Sequence, residues 1–443
     1  MFGQLLGLSM PVLAEHALHM VVGVNDTYLA NHLGAESTDA AAAVGTVTYF
    51  LWFLGLMTSA LGVGSTALIA RAIGARHRRL ANAVCGQSIT AAIVLGLGLA
   101  ATFYVAAGPI AQAMRLHGAA QDMAERYLQL LAVSLPFTTV MFVAGPCLRG
   151  AGDTISPALA MIAVDVINIV STFALCRGWW GLPAMGFDGI AAGTVIAYVA
   201  GGMILFAVLV RGRGGIKLHL HRMRPKWHTL RRVLRIGLPS GAESFIAWGA
   251  NLAVVVVINA LDPTNAMAAA HINAIRIESA SFMAGFAVAT AVATLVGQNL
   301  GAKDPARAAR AAWLGYALGG GIMTACGLFF ILFGHYPAGW ISDNPEVAAM
   351  TTTCLFITGF IQPGFAASAV FGGALRGAGD TVAVMVLNLL SVVGVRFTGV
   401  LVVGRWLRQG LAAVWIVLAG ELFLRGTLVF LRFVQGRWKR IEV

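Results

Sequence analysis

Charge is what this chain has least of. Only 11% of its 443 residues are charged, against 58% hydrophobic, whereas an average soluble domain is nearer a quarter charged. Eighteen Asp and Glu in all cannot clothe a water-soluble surface of this length, so a soluble globular class is excluded. Cysteine is sparse too. Cys85, Cys147, Cys176, Cys326 and Cys354 fall mostly in apolar stretches with no CxxC, and they read as free core thiols. HExxH, a P-loop GxxxxGK[ST] and a clear nucleophile–base arrangement are all missing, so nothing supports an enzyme or an ATP-driven pump. No repeated selectivity filter suggests a channel.

What is present is long apolar runs. Twelve spans of about 20 residues or more run roughly over 5–31, 43–70, 84–107, 127–146, 157–176, 188–210, 237–260, 267–296, 309–333, 349–371, 382–403 and 411–433. They are apolar all round, which predicts helices and not the alternating strands of a barrel. The first run is too long for a signal-peptide core and no small-residue cleavage site follows it, so it counts as span 1. The expected fold is an all-α integral membrane protein.

The net charge of +12 is distributed unevenly. With the N-terminus placed inside, inward loops and the C-terminal tail hold 22 of the 30 Lys and Arg. The outward loops hold Arg115, Arg126, Arg177, Arg405 and Arg408. This positive-inside bias places both termini in the cytoplasm, in a multi-pass protein of the plasma (inner) membrane. The basic excess meets anionic lipid headgroups and calls for no nucleic acid.

The chain also repeats itself. "LRGAGDT" occurs at Leu148–Thr154 and again 227 residues later at Leu375–Thr381. "ARAIGAR" (Ala70–Arg76) matches "GQNLGAK" (Gly297–Lys303) at the same offset, and "PVLAE" (Pro11–Glu15) matches "PSGAE" (Pro239–Glu243) at one residue more. Two halves of six spans follow: 1–212 as an N-lobe, 233–443 as a C-lobe, and the basic stretch 213–232 as a cytoplasmic linker. Six is even, so the halves are parallel repeats, the plan of a rocking transporter. In LRGAGDT the glycines permit a tight turn, Asp153 or Asp380 can cap the next helix, and the arginine can reach phosphates or the preceding helix's last carbonyls.

Ionisable residues inside spans are costly, about 2.5–3.5 kcal/mol each on insertion scales, so each needs a reason. They are Glu15, Asp26, Asp165, Glu243, Arg276, Glu278, Arg396, Glu421 and Arg425. Glu15, His19 and Asp26 share one stripe of span 1 at 3.6 residues per turn, a possible proton relay toward neutral pH. His16 and His19 lack a metal-binding order, and no metal is expected. Glu421 and Arg425 are i, i+4 and read as a structural pair. Arg276 and Glu278, two apart, do not face each other. Arg396 has no partner in the sequence. Aromatics and methionines such as Tyr49, Trp52, Phe282, Met283 and Phe286 suit either plain packing or an adaptable, cation-tolerant cavity.

Together these motifs resemble the multidrug and toxic compound extrusion (MATE) family. The resemblance covers nearly the whole chain and rests on "VNDTYLANHLGAESTDAAAAVG", "STALIARAIGARHRR", "TLVGQNLGAKDPARA", both LRGAGDT copies, "GIAAGT" and the closing "GLAAVWIVLAGELFLRGTLVFLRFVQGRWKR". It implies two pseudo-symmetric six-helix bundles around a central cavity, and a cation-coupled antiporter of amphipathic, often cationic, organic compounds. By the same resemblance Asp26 is the coupling acid, and Asn168 and Thr194 complete its site. The family's second acid falls on Thr172, for which Asp165 can substitute. One carboxylate suits H+ better than Na+, which remains possible at Asp26, Asn168 and Thr194. Glu15, His19, Glu243 and Glu278 are expected at the cavity or in a relay. The alternative is a flippase or exporter of a lipid-linked or other polar metabolite. No cofactor is expected beyond the coupling ion. The expected partners are the bilayer and small organic substrates, and a monomer is expected because one chain supplies both lobes.

Overall fold

The computed structural model describes residues 1–441 except Arg115 and Pro263; the outward placement of Arg115 therefore lies outside the described residues. Twelve helices are long and apolar enough to cross a membrane: α1 Phe2–Ala30, α2 Ser37–Gly74, α3 Arg78–Ala113, α4 Ala119–Ala151, α5 Ile155–Arg177, α6 Phe187–Arg211, α7 Trp227–Leu261, α8 Ala266–Gly301, α9 Pro305–Phe333, α10 Pro345–Ala378, α11 Thr381–Trp406 and α12 Leu411–Val434. Each of the twelve expected spans has its helix. Among the described residues no strand occurs, only an isolated bridge between Arg213 and Ile216. At 1.5 Å per residue, the 38 residues of α2 reach about 57 Å, well beyond a hydrocarbon core of about 30 Å. Its ends therefore stand in the headgroups or the water. The five cysteines are free.

The chain forms two compact units. One is Ala14–Gly237. The other joins Met1–Leu13 to Leu238–Val443. The sequence division at 213–232 follows connectivity; packing divides inside α1 and α7, within three residues of Pro11 and Pro239. Leu5 accordingly packs into the second unit's core beside Phe371, Phe433 and Trp438. In each unit one helix is the central post: α4 packs on α2, α3 and α6, and α10 packs on α8, α9 and α12.

The repeated LRGAGDT now has a physical reading at every position. Gly152 (φ 95°) and Gly379 (φ 87°) are left-handed. The next residue's N–H closes back on the carbonyl five before it, Asp153 to Leu148 at 2.9 Å and Asp380 to Leu375 at 2.8 Å, the Schellman end of a helix. Gly150 lets α4 press on α2, since a Cβ there would lie 2.8 Å from the Thr66 carbonyl oxygen. Gly377 does the same for α10 against the Ala293 carbonyl of α8, with still less room.

The expectations for the other two residues need correction. Arg149 and Arg376 each turn to an acid far along the chain, described below. Asp153 does cap the helix that follows, accepting from the Ser156 N–H at 3.0 Å and hydroxyl at 2.6 Å. Asp380 instead accepts from Arg432 Nε at 2.9 Å. The basic linker is not a loose tether either. Gln87 of α3 holds the Arg224 carbonyl and the Lys226 N–H, and Thr90 holds the Met223 carbonyl, all at 2.7–2.8 Å. Between α7 and α8, hydrogen bonds from the Thr264 hydroxyl and from the Met267 and Thr264 N–H groups hold the Asp262 carboxyl below its usual range.

Replacing Gly377 by alanine should overpack the α8–α10 crossing by about 1–3 kcal/mol. The thermal midpoint of the detergent-solubilised protein should fall clearly. Gly98→Ala, where nothing lies within 4 Å of the new Cβ, should leave it unchanged or raise it slightly.

Candidate functional site

In the Ala14–Gly237 unit, four helices converge on Asp26. It is 3% exposed. Its Oδ2 accepts from the Thr194 hydroxyl of α6 at 2.7 Å and the Tyr127 hydroxyl of α4 at 2.9 Å. Its Oδ1 accepts from Asn168 Nδ2 of α5 at 3.3 Å. Asn25 extends the network, donating to Asn168 Oδ1 at 2.8 Å and to Thr172 Oγ1 at 2.9 Å. Asn168, Thr172 and Thr194 are fully buried. Every donor to the carboxylate is neutral, and no basic residue forms an ion pair with Asp26 among the described residues.

The structure thus brings Asp26, Asn168, Thr172 and Thr194 together. It does not bring in Asp165, whose two buried oxygens have no hydrogen-bond partner. Tyr198, buried, lies within Coulombic reach of both Asp26 and Asp165. Sequence reasoning missed Tyr127, one aromatic among many in its span. Nor does a hydrogen bond join Glu15, His19 and Asp26 among the described residues. His19 packs its ring against Phe142 at 5.8 Å.

Glu15 is held instead by Arg149, whose Nη1 reaches its oxygens at 2.7 and 2.8 Å. Glu243 is held by Arg376 Nη2 at 2.6 Å and by the amide of Asn388. Both arginines come from LRGAGDT and both glutamates from the Pro-x-x-Ala-Glu repeat. The two repeated motifs are therefore the two ends of one ion pair, built once in each unit. Arg396 also has its partner: Glu421 Oε2 at 2.5 Å, with Asn251 Oδ1 at 2.7 Å. It sits where α11 widens to a π-helical turn over Val392–Phe397, a distortion frequent at functional sites. Glu421 is shared, as expected, with Arg425 at 3.3 Å. Arg276 is exposed.

Glu278 of α8 resembles Asp26 in kind. It is 7% exposed, and its Oε1 accepts from the Thr358 hydroxyl at 2.6 Å and Gln362 Nε2 at 3.3 Å. Ser281 donates to Gln362 Oε1 at 2.9 Å. Phe282, Phe286 and Phe365 cluster beside it, their ring centroids 5.9–6.3 Å apart.

The two polar clusters occupy non-equivalent places. Residues 227 positions before Glu278, Ser281, Thr358 and Gln362 are Leu51, Leu54, Leu131 and Leu135, three of them fully buried in the first unit. Conversely, at offsets of 228 and 227 Asp26 and Tyr127 correspond to Val254 and Cys354, which belong to one apolar cluster. The lobe scaffold is stable with either filling, so the polar filling is a matter of the site and not of the fold.

Twelve helices in two repeated six-helix units, with uncompensated acids buried at membrane depth, define a two-lobed membrane carrier. The MatE family model matches it twice, over residues 11–174 and 239–402, once per repeat. The chain belongs to the MATE family of membrane transporters. It is 29% identical to the probable multidrug resistance protein NorM of Thermotoga maritima over 441 residues, covering 99% of this chain and 94% of that protein. It is 26% identical to the multidrug resistance protein PmpM of Pseudomonas aeruginosa, covering 88% and 82%. Its fold matches a crystal structure of MATE in the bent conformation with a TM-score of 0.89 at 22% identity, over 99% and 96% of the two chains. A MOP superfamily transporter from Pyrococcus furiosus gives 0.87 at 22% identity, over 99% and 97%.

The twin ion pairs make a stability prediction. Arg376→Met strands a largely buried carboxylate and should cost about 3–5 kcal/mol, while adding Glu243→Gln should recover most of that loss. Thermal midpoints of the two single variants and the double variant give the comparison, with Glu15 and Arg149 as the parallel case.

Proposed function

We propose that this protein is a secondary antiporter that exports amphipathic organic cations in exchange for protons, with Asp26 as the coupling group. The observation that carries the reading is the charge accounting of the buried acids. Glu15, Glu243 and Glu421 each have an arginine. Asp26 has only neutral donors. Its charge must therefore be neutralised from outside the protein, and a proton is the smallest means.

The hydrogen bonding supports H+ over Na+. Sodium needs several oxygen ligands. Here the Asn168 Oδ1 and Thr172 Oγ1 oxygens already accept from Asn25, and the Thr194 hydroxyl is spent on Asp26. A proton needs the one carboxylate alone. Exchange of one proton for one monovalent cation is electroneutral, so each pH unit sustains about a tenfold substrate gradient. Glu278, with the phenylalanine cluster beside it, offers a carboxylate and aromatic faces to an organic cation. The names of the relatives, multidrug resistance proteins, support drug export. The setting we propose is a bacterial inner membrane, both termini cytoplasmic, the chain acting as a monomer.

The test is uptake of ethidium into proteoliposomes under a pH gradient and, separately, a Na+ gradient. Wild type should respond to pH, and Asp26→Asn should lose that response by 100-fold or more, about the effect of removing a required proton-transfer group. Tyr127→Phe, which removes one donor, should slow transport without abolishing it. Transport driven by Na+ alone overturns the proton reading. No driven transport under either gradient would favour the flippase-type alternative.

A further inference from the structure

We infer that the α6–α7 connection and the α2–α3 turn form a single preformed docking platform for anionic phospholipid headgroups, built into the Ala14–Gly237 unit alone. No Asp or Glu occurs between Asp39 and Asp122, nor between Asp188 and Glu243. The fold lays these two acid-free stretches side by side. The Lys217 N–H donates to Asn82 Oδ1 at 2.9 Å, next to the clasps from Gln87 and Thr90 already described. Ile216 and Leu218 are buried beneath, and the Arg213–Ile216 bridge closes the turn above them.

The linker is therefore pinned at its backbone, and its cations project from a fixed surface. Arg78 and Arg79 come from the turn, and Lys217, Arg224, Lys226 and Arg231 from the connection; all six are exposed. Arg213, at the edge, pairs with Asp153 at 3.4 Å, and none of the six forms an ion pair among the described residues. The platform joins the ends of membrane spans, so it sits at headgroup depth. Trp227 at 68% and Leu220 at 62% exposure stand among the cations, the amphipathic anchors of a membrane interface. Clustered Lys and Arg at that depth bind anionic lipid, within about a Debye length of the surface. Because the backbone is already held, little ordering cost opposes the binding.

The other unit lacks these features. Its matching turn places Asp304 among Lys303, Arg307 and Arg310, where it caps α9. The segment after its last span turns its tryptophan inward: Trp438 is fully buried and stacks on Phe433. Leaflet charge accordingly acts on the first unit through a pinned surface with an outward tryptophan, whereas the exposed Arg437, Lys439 and Arg440 of the other unit flank one turned inward.

The experiment needs no transported substrate. The protein is reconstituted with brominated phosphatidylglycerol or brominated phosphatidylcholine at equal mole fraction. Quenching of Trp227 is read as the difference between wild type and Trp227→Phe. At low salt the anionic lipid should quench at least about threefold more effectively, as expected for several cations near a charged headgroup. High salt should bring the two lipids to parity. Arg78→Gln/Arg79→Gln/Lys226→Gln/Arg231→Gln should also give parity, whereas Arg307→Gln/Arg310→Gln should keep the preference. Parity in wild type at low salt overturns the inference. So does a preference that survives high salt, or one that the second variant loses as fully as the first. The salt series on wild type decides the matter even if the quadruple variant does not fold.

Discussion

A charge buried in hydrocarbon must be cancelled where it sits or by something that comes and goes. This constraint sorts the ionisable residues of the chain. Glu15, Glu243 and Glu421 are cancelled in place by Arg149, Arg376 and Arg396. Such pairs are held by their own Coulombic attraction and hydrogen bonds, and losing either member is expensive. They are parts of the frame. Asp26, Asp165 and Glu278 have no such partner among the described ion pairs. Position inside the membrane marks both groups alike; the presence or absence of an arginine separates them.

The duplication shows the same sorting. What both halves keep is geometry: left-handed Gly152 and Gly379, close-packed Gly150 and Gly377, and a glutamate–arginine pair joining the middle of one helix to the end of another. What they do not share is chemistry. The first unit is polar around Asp26 where the second has Val254 and Cys354 in an apolar cluster. The second is polar around Glu278 where the first is filled by leucines. Two copies of one scaffold carry two different interiors, because backbone packing tolerates either.

Much of this was legible in the sequence, for identifiable reasons. Span length and hydropathy are local, so all twelve helices were visible. The repeat was visible because short motifs recur at one offset. The partner of Arg149 was not visible: Glu15 lies 134 residues away, and no periodicity links them. The same holds for Arg396, whose acid, Glu421, lies 25 residues away on another helix. Asn168 and Thr194 were placed through the family resemblance, while Tyr127 was hidden because a phenol in an apolar span looks like packing until its hydroxyl is seen to donate. The unit boundaries inside α1 and α7 escaped for a related reason. Hydropathy reports that a helix crosses, not which core each of its ends joins.

The Asp26 cluster has a further property that follows from valence alone. An ionised carboxylate is acceptor-only, and all three of its present bonds use it so. A protonated carboxyl becomes a donor at one oxygen. If that oxygen is Oδ2, it can no longer receive both the Thr194 and the Tyr127 hydroxyls while offering its own hydrogen; at least one must turn away or become the acceptor. Thr194 is also bonded by Asn168, and Asn168 by Asn25, which reaches Thr172. One proton on one atom therefore re-orders bonds that tie α1 to α4, α5 and α6 at once. A salt bridge in the same place would absorb the proton by losing its attraction and would pass nothing on. Neutral donors convert it into a change of partners across four helices, which is the form a coupling signal inside a rigid lobe can take.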